Sequence, residues 1–381
     1  MKNISRRNIL LSGGALIGAS AIHSLSPLAT SLHAANEASN VFDLVQADSN
    51  ENPYGPSRVA LQAINEAMNL TNRYGGGNRR NLVKLLAAQN GLTSDHVVLG
   101  TGSGEILKTG GLMASWEKGS VVCVDPTYQD LVRYASRVRS EIIRVPVDEN
   151  LACDLDAVAR AIRPDTKMVY LVNPNNPVPN IIDKDKLKDF VIEISKDRLV
   201  FIDEAYFEYV EDPNYASMTD LIADGHRNII ISRTASKIHG LAGLNVGFGF
   251  AHPELIKVIE ELKTGKNNIL GIEAAYASYQ DQEFQNFSRR KNKESLNIVE
   301  DMYKELGVRY IKSNTNFSFF ETGIPVQELN ATLLEHGIAS GRPFPPYTKW
   351  SRVSMDKPEH MQRYVQVFKR LFAKRIMDSS S

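Results

Sequence analysis

The sequence predicts an α/β fold: a large domain with a seven-stranded, mainly parallel sheet flanked by helices, plus a smaller α+β domain. Three observations predict it. Seven short β-branched runs stand at 97–99, 121–124, 142–147, 168–172, 199–203, 229–232 and 246–250, most of them separated by stretches of helix length. From about residue 252 to Gly307 the character changes to long charged helices, and shorter strand-like pieces such as FSFFE at 317–321 follow. The 381 residues, 43% hydrophobic and 23% charged, are ordinary for globular protein, and this length suggests roughly two domains.

From the N-terminus, residues 1–35 read as a targeting segment outside the fold. Ser5-Arg6-Arg7-Asn8-Ile9-Leu10-Leu11 resembles a twin-arginine export signal, and an uncharged stretch rich in Gly, Ala and Ser continues to about Leu25. Gly13, Gly14 and Gly18 make that stretch a poor membrane anchor. The expectation is a periplasmic or extracellular protein, exported folded by the twin-arginine machinery, with no stable membrane span afterwards. Removing the segment takes away Lys2, Arg6 and Arg7 and no acid, which turns a balanced 44 against 44 mildly acidic. No bulk positive field argues for nucleic acid.

Residues 36–74 are expected to join the small domain, 75–251 to form the large domain and 252–381 the small C-terminal one. Val59, Leu61, Ala63, Ile64, Ala67 and Met68 take helical spacing after a Pro56-Ser57 start. Leu82, Leu85 and Leu86 repeat it, with Gly91 as the stop. Cys123 and Cys153 sit in apolar contexts and read as core residues, since two cysteines build no disulfide framework and no four-ligand metal site.

Open α/β sheets bind ligands beyond the carboxyl ends of their strands, so the strand ends were read for chemistry. Run 97–99 leads into Gly100-Thr101-Gly102-Ser103-Gly104 and a helix from Glu105, where free backbone N–H groups form a phosphate cup or simply a turn. Run 168–172 ends in the amide-rich turn Asn173-Pro174-Asn175-Asn176-Pro177. Run 199–203 ends at Asp203, placed to hold a proton on a heteroaromatic nitrogen or to cap a helix. Run 229–232 ends in Arg233-Thr234-Ala235-Ser236-Lys237. A lysine shielded there by small and apolar neighbours is easier to deprotonate, and only the neutral amine forms a Schiff base.

Together these segments resemble the fold-type-I pyridoxal-phosphate aminotransferases, closest to the histidinol-phosphate aminotransferase branch. Eight motifs stand in the expected order between about residues 41 and 370. They are Asn50-Glu51-Asn52-Pro53-Tyr54-Gly55-Pro56, Asn72-Arg73-Tyr74, Gly102-Ser103-Gly104-Glu105, Pro126-Thr127-Tyr128, Asn173 to Pro177, Asp203 to Tyr206, Ser236-Lys237 and Trp350-Ser351-Arg352-Val353. Each is weak alone; the ordered set is specific.

The resemblance implies that Lys237 carries pyridoxal 5'-phosphate as a Schiff base and shuttles the proton. Asp203 would pair with the pyridinium nitrogen, while Tyr206 and Asn176 donate to the ring oxygen. Tyr128 would stack on the ring, or else be an ordinary half-buried aromatic. Ser103, Gly104, Glu105, Thr234 and Ser236 would form the phosphate loop, with Tyr74 reaching in from a partner subunit of a homodimer. Arg352 would grip the substrate's anionic group, with Asn176, Tyr54 and Arg342 also in the substrate pocket. The implied reaction moves an amino group from an amino acid or related amine to a 2-oxo acid.

Departures from the pattern fall around one pocket. Asn245 stands where the resembled family carries a phosphate-binding Arg, which leaves Arg73, Arg79, Arg80 or Arg233 as replacements. Pro177-Val178-Pro179 replaces the usual Pro-Thr-Gly, and Gly104 replaces a common Asp. Decarboxylation, racemisation and elimination start from the same scaffold and compete with transamination. Outside enzymes, an exported α/β binding protein is the competing class.

Overall fold

The computed structural model describes residues 44–379, and the export signal expected over 1–35 lies outside the described residues. All seven strand runs enter one sheet. Strands β2 (Val97–Thr101), β3 (Ser120–Asp125), β4 (Glu141–Pro146), β5 (Thr166–Val172), β6 (Leu199–Asp203), β7 (Ile229–Thr234) and β8 (Val246–Ala251) are ordered β2-β8-β7-β6-β5-β3-β4. Only β8 runs against its neighbours; the other pairings are parallel. The carboxyl ends of β5, β6 and β7 therefore lie side by side.

Alternation explains why these runs are apolar throughout. Val169, Leu171, Val200, Ile202, Ile229 and Ile231 belong to one core cluster, while Met168, Tyr170, Phe201 and Ile230 belong to another. A strand covered on both faces has no solvated side on which to place polar residues. Helices α1 (Arg58–Ala67), α2 (Gly76–Gln89), α3 (Ser103–Ala114), α4 (Asp130–Arg137), α5 (Leu155–Ala161), α6 (Lys184–Ile194) and α7 (Thr219–Ala223) accompany the sheet. Ser57 caps α1, its hydroxyl accepting from the Ala60 N–H at 3.2 Å.

The smaller domain is built on β10 (Phe317–Glu321), which pairs antiparallel with β9 (Tyr310–Ile311) and β12 (Trp350–Ser354). A parallel pair, β1 (Val45–Ala47) with β11 (Ile338–Ser340), lies beside it. Val299, Met302 and Tyr303 of α10 (Gln282–Glu305) pack with Phe320 of β10 and with Tyr364 and Phe368 of α12 (Pro358–Ser379). Helix α11 (Val326–Glu335) adds Leu329 and Leu333.

Two helices past residue 252 stay with the large sheet. Ile256 and Ile259 of α8 (Pro253–Leu262) join one sheet cluster, and Ile272, Ala274 and Ala275 of α9 (Ile269–Ser278) join the other. Helix α9 is apolar, unlike the charged helices expected over that range, because it is wedged among α1, α2 and β8. Cys123 is fully buried in the core and Cys153 packs at its margin, and both are free thiols.

Candidate active site

A cavity of about 1120 Å³ opens at the carboxyl ends of β5, β6 and β7. Of the residues singled out from sequence, Ser103, Gly104, Glu105, Tyr128, Asn176, Asp203, Tyr206, Thr234, Ser236, Lys237, Arg342 and Arg352 all line it. Tyr54 and Tyr74 do not. Tyr54 sits edge-on to Phe287 at 4.9 Å, beside a small separate cavity with Asn292 and Asp356. Tyr74 is 92% exposed, with the Lys266 ammonium 5.0 Å from its ring.

Strand alternation aims the side chains at the ends of β6 and β7. Asp203 and Thr234 face the cavity, whereas Glu204 and Arg233 turn to the other face. There Arg233 forms a buried ion pair with Glu204 at 2.9 Å, donates to Asn90 at 2.8 Å and to Ser217 at 2.7 Å, and lies over Phe207. Arg233 is thus fully committed and is no phosphate clamp. Arg79 is committed too, to Asn267 and Glu260, and neither Arg73 nor Arg80 lines the cavity.

Asp203 is 3% exposed and accepts from the Ser232 hydroxyl at 2.8 Å. Burial pushes its carboxyl up to about 7, against the pull of Ser232 and of the Lys237 charge. A cationic group set against this carboxylate would supply the counter-charge that burial withholds. Lys237 stands across the cavity, its Nζ donating to the Asn50 carbonyl at 3.2 Å.

Asn50, absent from the sequence-based site list, is a hub. It lies in left-handed backbone at φ 54°, its N–H donates to the Ser354 hydroxyl, and its amide donates to the Tyr206 hydroxyl at 2.9 Å. Tyr206 accepts a second bond from the Asn176 amide at 3.2 Å. With both lone pairs engaged, the Tyr206 proton is left to be donated. Asn176 in turn accepts from Arg352 at 2.9 Å. The place of Asn176 in an amide-rich turn was legible; the role of Asn50, the other donor to Tyr206, was not.

Arg352 is 8% exposed, donates to the Asp48 carbonyl and has no carboxylate partner; its buried Nε has no hydrogen-bond partner. This is no surface ion pair. Burial lowers its affinity for its own proton, and an uncompensated buried guanidinium calls for an anion. Arg342 lies 4.4 Å from the Phe344 ring, which Arg352 approaches to 5.2 Å, and among the described residues it forms no ion pair.

At the other end, the N-terminus of α3 presents free N–H groups beside the Thr234 and Ser236 hydroxyls. Gly102 takes φ +72° to start this turn, and its N–H donates to the Asn245 carbonyl at 2.7 Å. A Cβ on Gly247 would stand 2.1 Å from the Ser103 nitrogen, so only glycine lets β8 approach the cup so closely. Asn245 itself is left-handed at φ 52°, a conformation Asn tolerates. Glu105 braces the loop from behind. Burial opposes its ionisation, but N–H donors from Thr101, Thr264 and Gly265 outweigh it and hold the carboxyl below its ordinary value. These bonds tie its carboxylate to the loop and to the segment after α8. Lys108 and Lys263 line the cavity beyond, unanticipated from sequence.

The match to known proteins agrees with this geometry. The sequence model for class I and II aminotransferases matches residues 43–368. The chain belongs to that family. It is a pyridoxal-phosphate-dependent transaminase, and its buried acid, facing lysine and N–H cup fit that cofactor. It is 33% identical to the histidinol-phosphate aminotransferase of Moorella thermoacetica over 87% of this chain and 86% of that one. Against the histidinol-phosphate aminotransferase of Brevibacillus brevis the figures are 34%, 86% and 90%. The solved histidinol-phosphate aminotransferase of Sinorhizobium meliloti, in complex with pyridoxal-5'-phosphate, shares the fold at a TM-score of 0.79. It has 23% identity, over 95% of this chain and all of that one.

The raised Asp203 value gives a pH prediction for the cofactor-free transaminase. The folded chain keeps a proton that the unfolded chain releases near pH 3.9, about the ordinary value. Stability should therefore fall as pH rises from about 4 to about 7, and the Asp203→Asn chain should lack that component. Thermal melts across this window check it, and equal slopes for the two chains would contradict it.

Proposed function

We propose that Lys237 carries the cofactor and moves the proton in amino-group transfer from a donor whose anionic group Arg352 holds. One observation carries the reading: Asp203, Tyr206 and Lys237 converge on a single cavity from the ends of neighbouring strands. Bound pyridoxal 5'-phosphate supplies an electron sink for the substrate Cα. Asp203 keeps the ring nitrogen protonated, and Tyr206 donates its one free proton to the ring oxygen. The Lys237 Nζ takes the proton from Cα and returns it. Arg352, fixed by Asn176 and the Asp48 carbonyl, orients the donor. No observation favours decarboxylation, racemisation or elimination, and a binding protein has no use for this constellation.

We place the chain in the histidinol-phosphate aminotransferase branch, as its curated relatives suggest, with the donor an amino acid or related amine bearing an anionic group. The export reading argues against a cytoplasmic biosynthetic donor. Presenting the loaded chain with amino acids, histidinol phosphate and several 2-oxo acids tests this. The donor's own carbonyl product should appear, and no product from any pair would overturn the proposal.

Export by the twin-arginine route rests on Arg6-Arg7 and the uncharged stretch after them. Among the described residues no helix is long and apolar enough to cross a membrane. Changing both arginines to lysine should strand the chain in the cytoplasm; unchanged export would contradict the route.

A homodimer with shared sites is supported by an exposed apolar series, Val59, Leu61, Met68 and Leu70, that runs up to exposed Tyr74. With Asn245 in place of an arginine, the phosphate cup should lean on a partner's Tyr74 hydroxyl. Mixing Tyr74→Phe and Lys237→Ala subunits tests the geometry. Under sharing, the mixed dimer retains one intact site and holds cofactor more tightly per lysine than the Tyr74→Phe homodimer. Equal retention, or a monomer by light scattering, would remove the claim.

A further inference from the structure

Helix α4 begins with an acid that the chemistry above does not use. Asp130 is its first residue, half-buried, and lines the cavity. A carboxylate in the first turn of a helix is favoured by the helix dipole. Its Oδ2 accepts the Tyr128 hydroxyl at 3.2 Å. The same oxygen lies 3.5 Å from where a Cβ on Gly104 would stand, at the first turn of α3. One carboxylate oxygen thus holds the Tyr128 phenol and faces the open side of Gly104.

Tyr128 packs its ring edge against the core cluster on that face of the sheet. It also lines the cavity, and among the described residues its hydroxyl has Asp130 as its one hydrogen-bond partner. We propose that Asp130 is a positioning residue that fixes the Tyr128 ring as a wall of the cofactor site, and that Gly104, where a longer side chain would run toward the same oxygen, keeps a competing group away from it. The proposal rests on reading the cavity as the pyridoxal-phosphate site. It makes three positions on two segments interdependent: the acid, the phenol two residues before it and the bare glycine.

Equilibrium dialysis of pyridoxal 5'-phosphate against the cofactor-free full chain tests it without any activity measurement. Asp130→Ala and Tyr128→Phe should each weaken binding about tenfold, the loss of one hydrogen bond to a charged acceptor. The double variant should lose no more than about twofold beyond either single one, since both remove the same contact. Asp130→Asn, which keeps an acceptor, should stay within about twofold of wild type. Gly104→Asp should cost about tenfold beside Asp130 and markedly less in the Asp130→Ala background, where no like charge faces it. Losses that multiply in the double variant, or a Gly104→Asp effect equal in both backgrounds, would overturn the role of Asp130. If the wild-type chain binds no pyridoxal phosphate, the reading of the cavity falls as well. Tight wild-type binding with a multiplicative cycle removes Asp130 alone.

Discussion

Replacing Lys237 with alanine is expected to abolish transamination, by about 10⁴-fold or more, in a chain that still folds. The size follows from the number of tasks the proposal gives to one amine: to hold the cofactor covalently and to move the proton at Cα. No other lysine shares its place. Lys263, also in the cavity, is held by the Leu99 carbonyl at 2.6 Å and by Glu260. Folding should survive because the Lys237 side chain lines a cavity and its Nζ makes a single hydrogen bond, to Asn50. Steady-state assays and a thermal melt on the same preparation check both halves. An active Lys237→Ala chain would sink the assignment.

The second large effect is expected at Arg352. Its guanidinium is buried, without a carboxylate partner, and held in orientation by Asn176 and Asp48. A substrate anion gives it the partner it lacks, through charge-assisted hydrogen bonds. Arg352→Ala should lower kcat/KM by roughly 10²- to 10³-fold, about 3–4 kcal/mol, for donors with a free carboxylate. Amines with no anionic group should lose far less. Equal losses for both kinds of donor would show that Arg352 supports the fold, not the substrate.

Much of this was legible in the sequence because strand runs and strand ends are local signals. Seven runs gave seven strands, and the segments at the ends of four of them held Gly102, Asn176, Asp203 and Lys237. Alternation along β7 could also have separated Thr234 from Arg233, since neighbours on a strand face opposite sides. Read for composition alone, Arg233 looked like a candidate phosphate ligand; the structure spends its charge on Glu204. Asn50 and Asp130 were not legible as site residues. Asn50 acts through Tyr206 on a distant segment that only packing brings near, and Asp130 acts through Tyr128, where spacing alone does not show that the hydroxyl turns back to the acid. Tyr54 shares a motif with Asn50 and Asn52 but does not line the cavity, because its ring turns toward Phe287.

The covalent attachment at Lys237 is the claim on which the rest depends. The full chain, loaded with pyridoxal 5'-phosphate, should show a visible absorption band that borohydride removes. Peptide mass mapping should then find the reduced cofactor on the peptide that contains Lys237, and on no peptide of the Lys237→Ala chain. A reduced adduct on Lys263 or Lys108 in place of Lys237, or no adduct on a chain that binds the cofactor, would contradict the account.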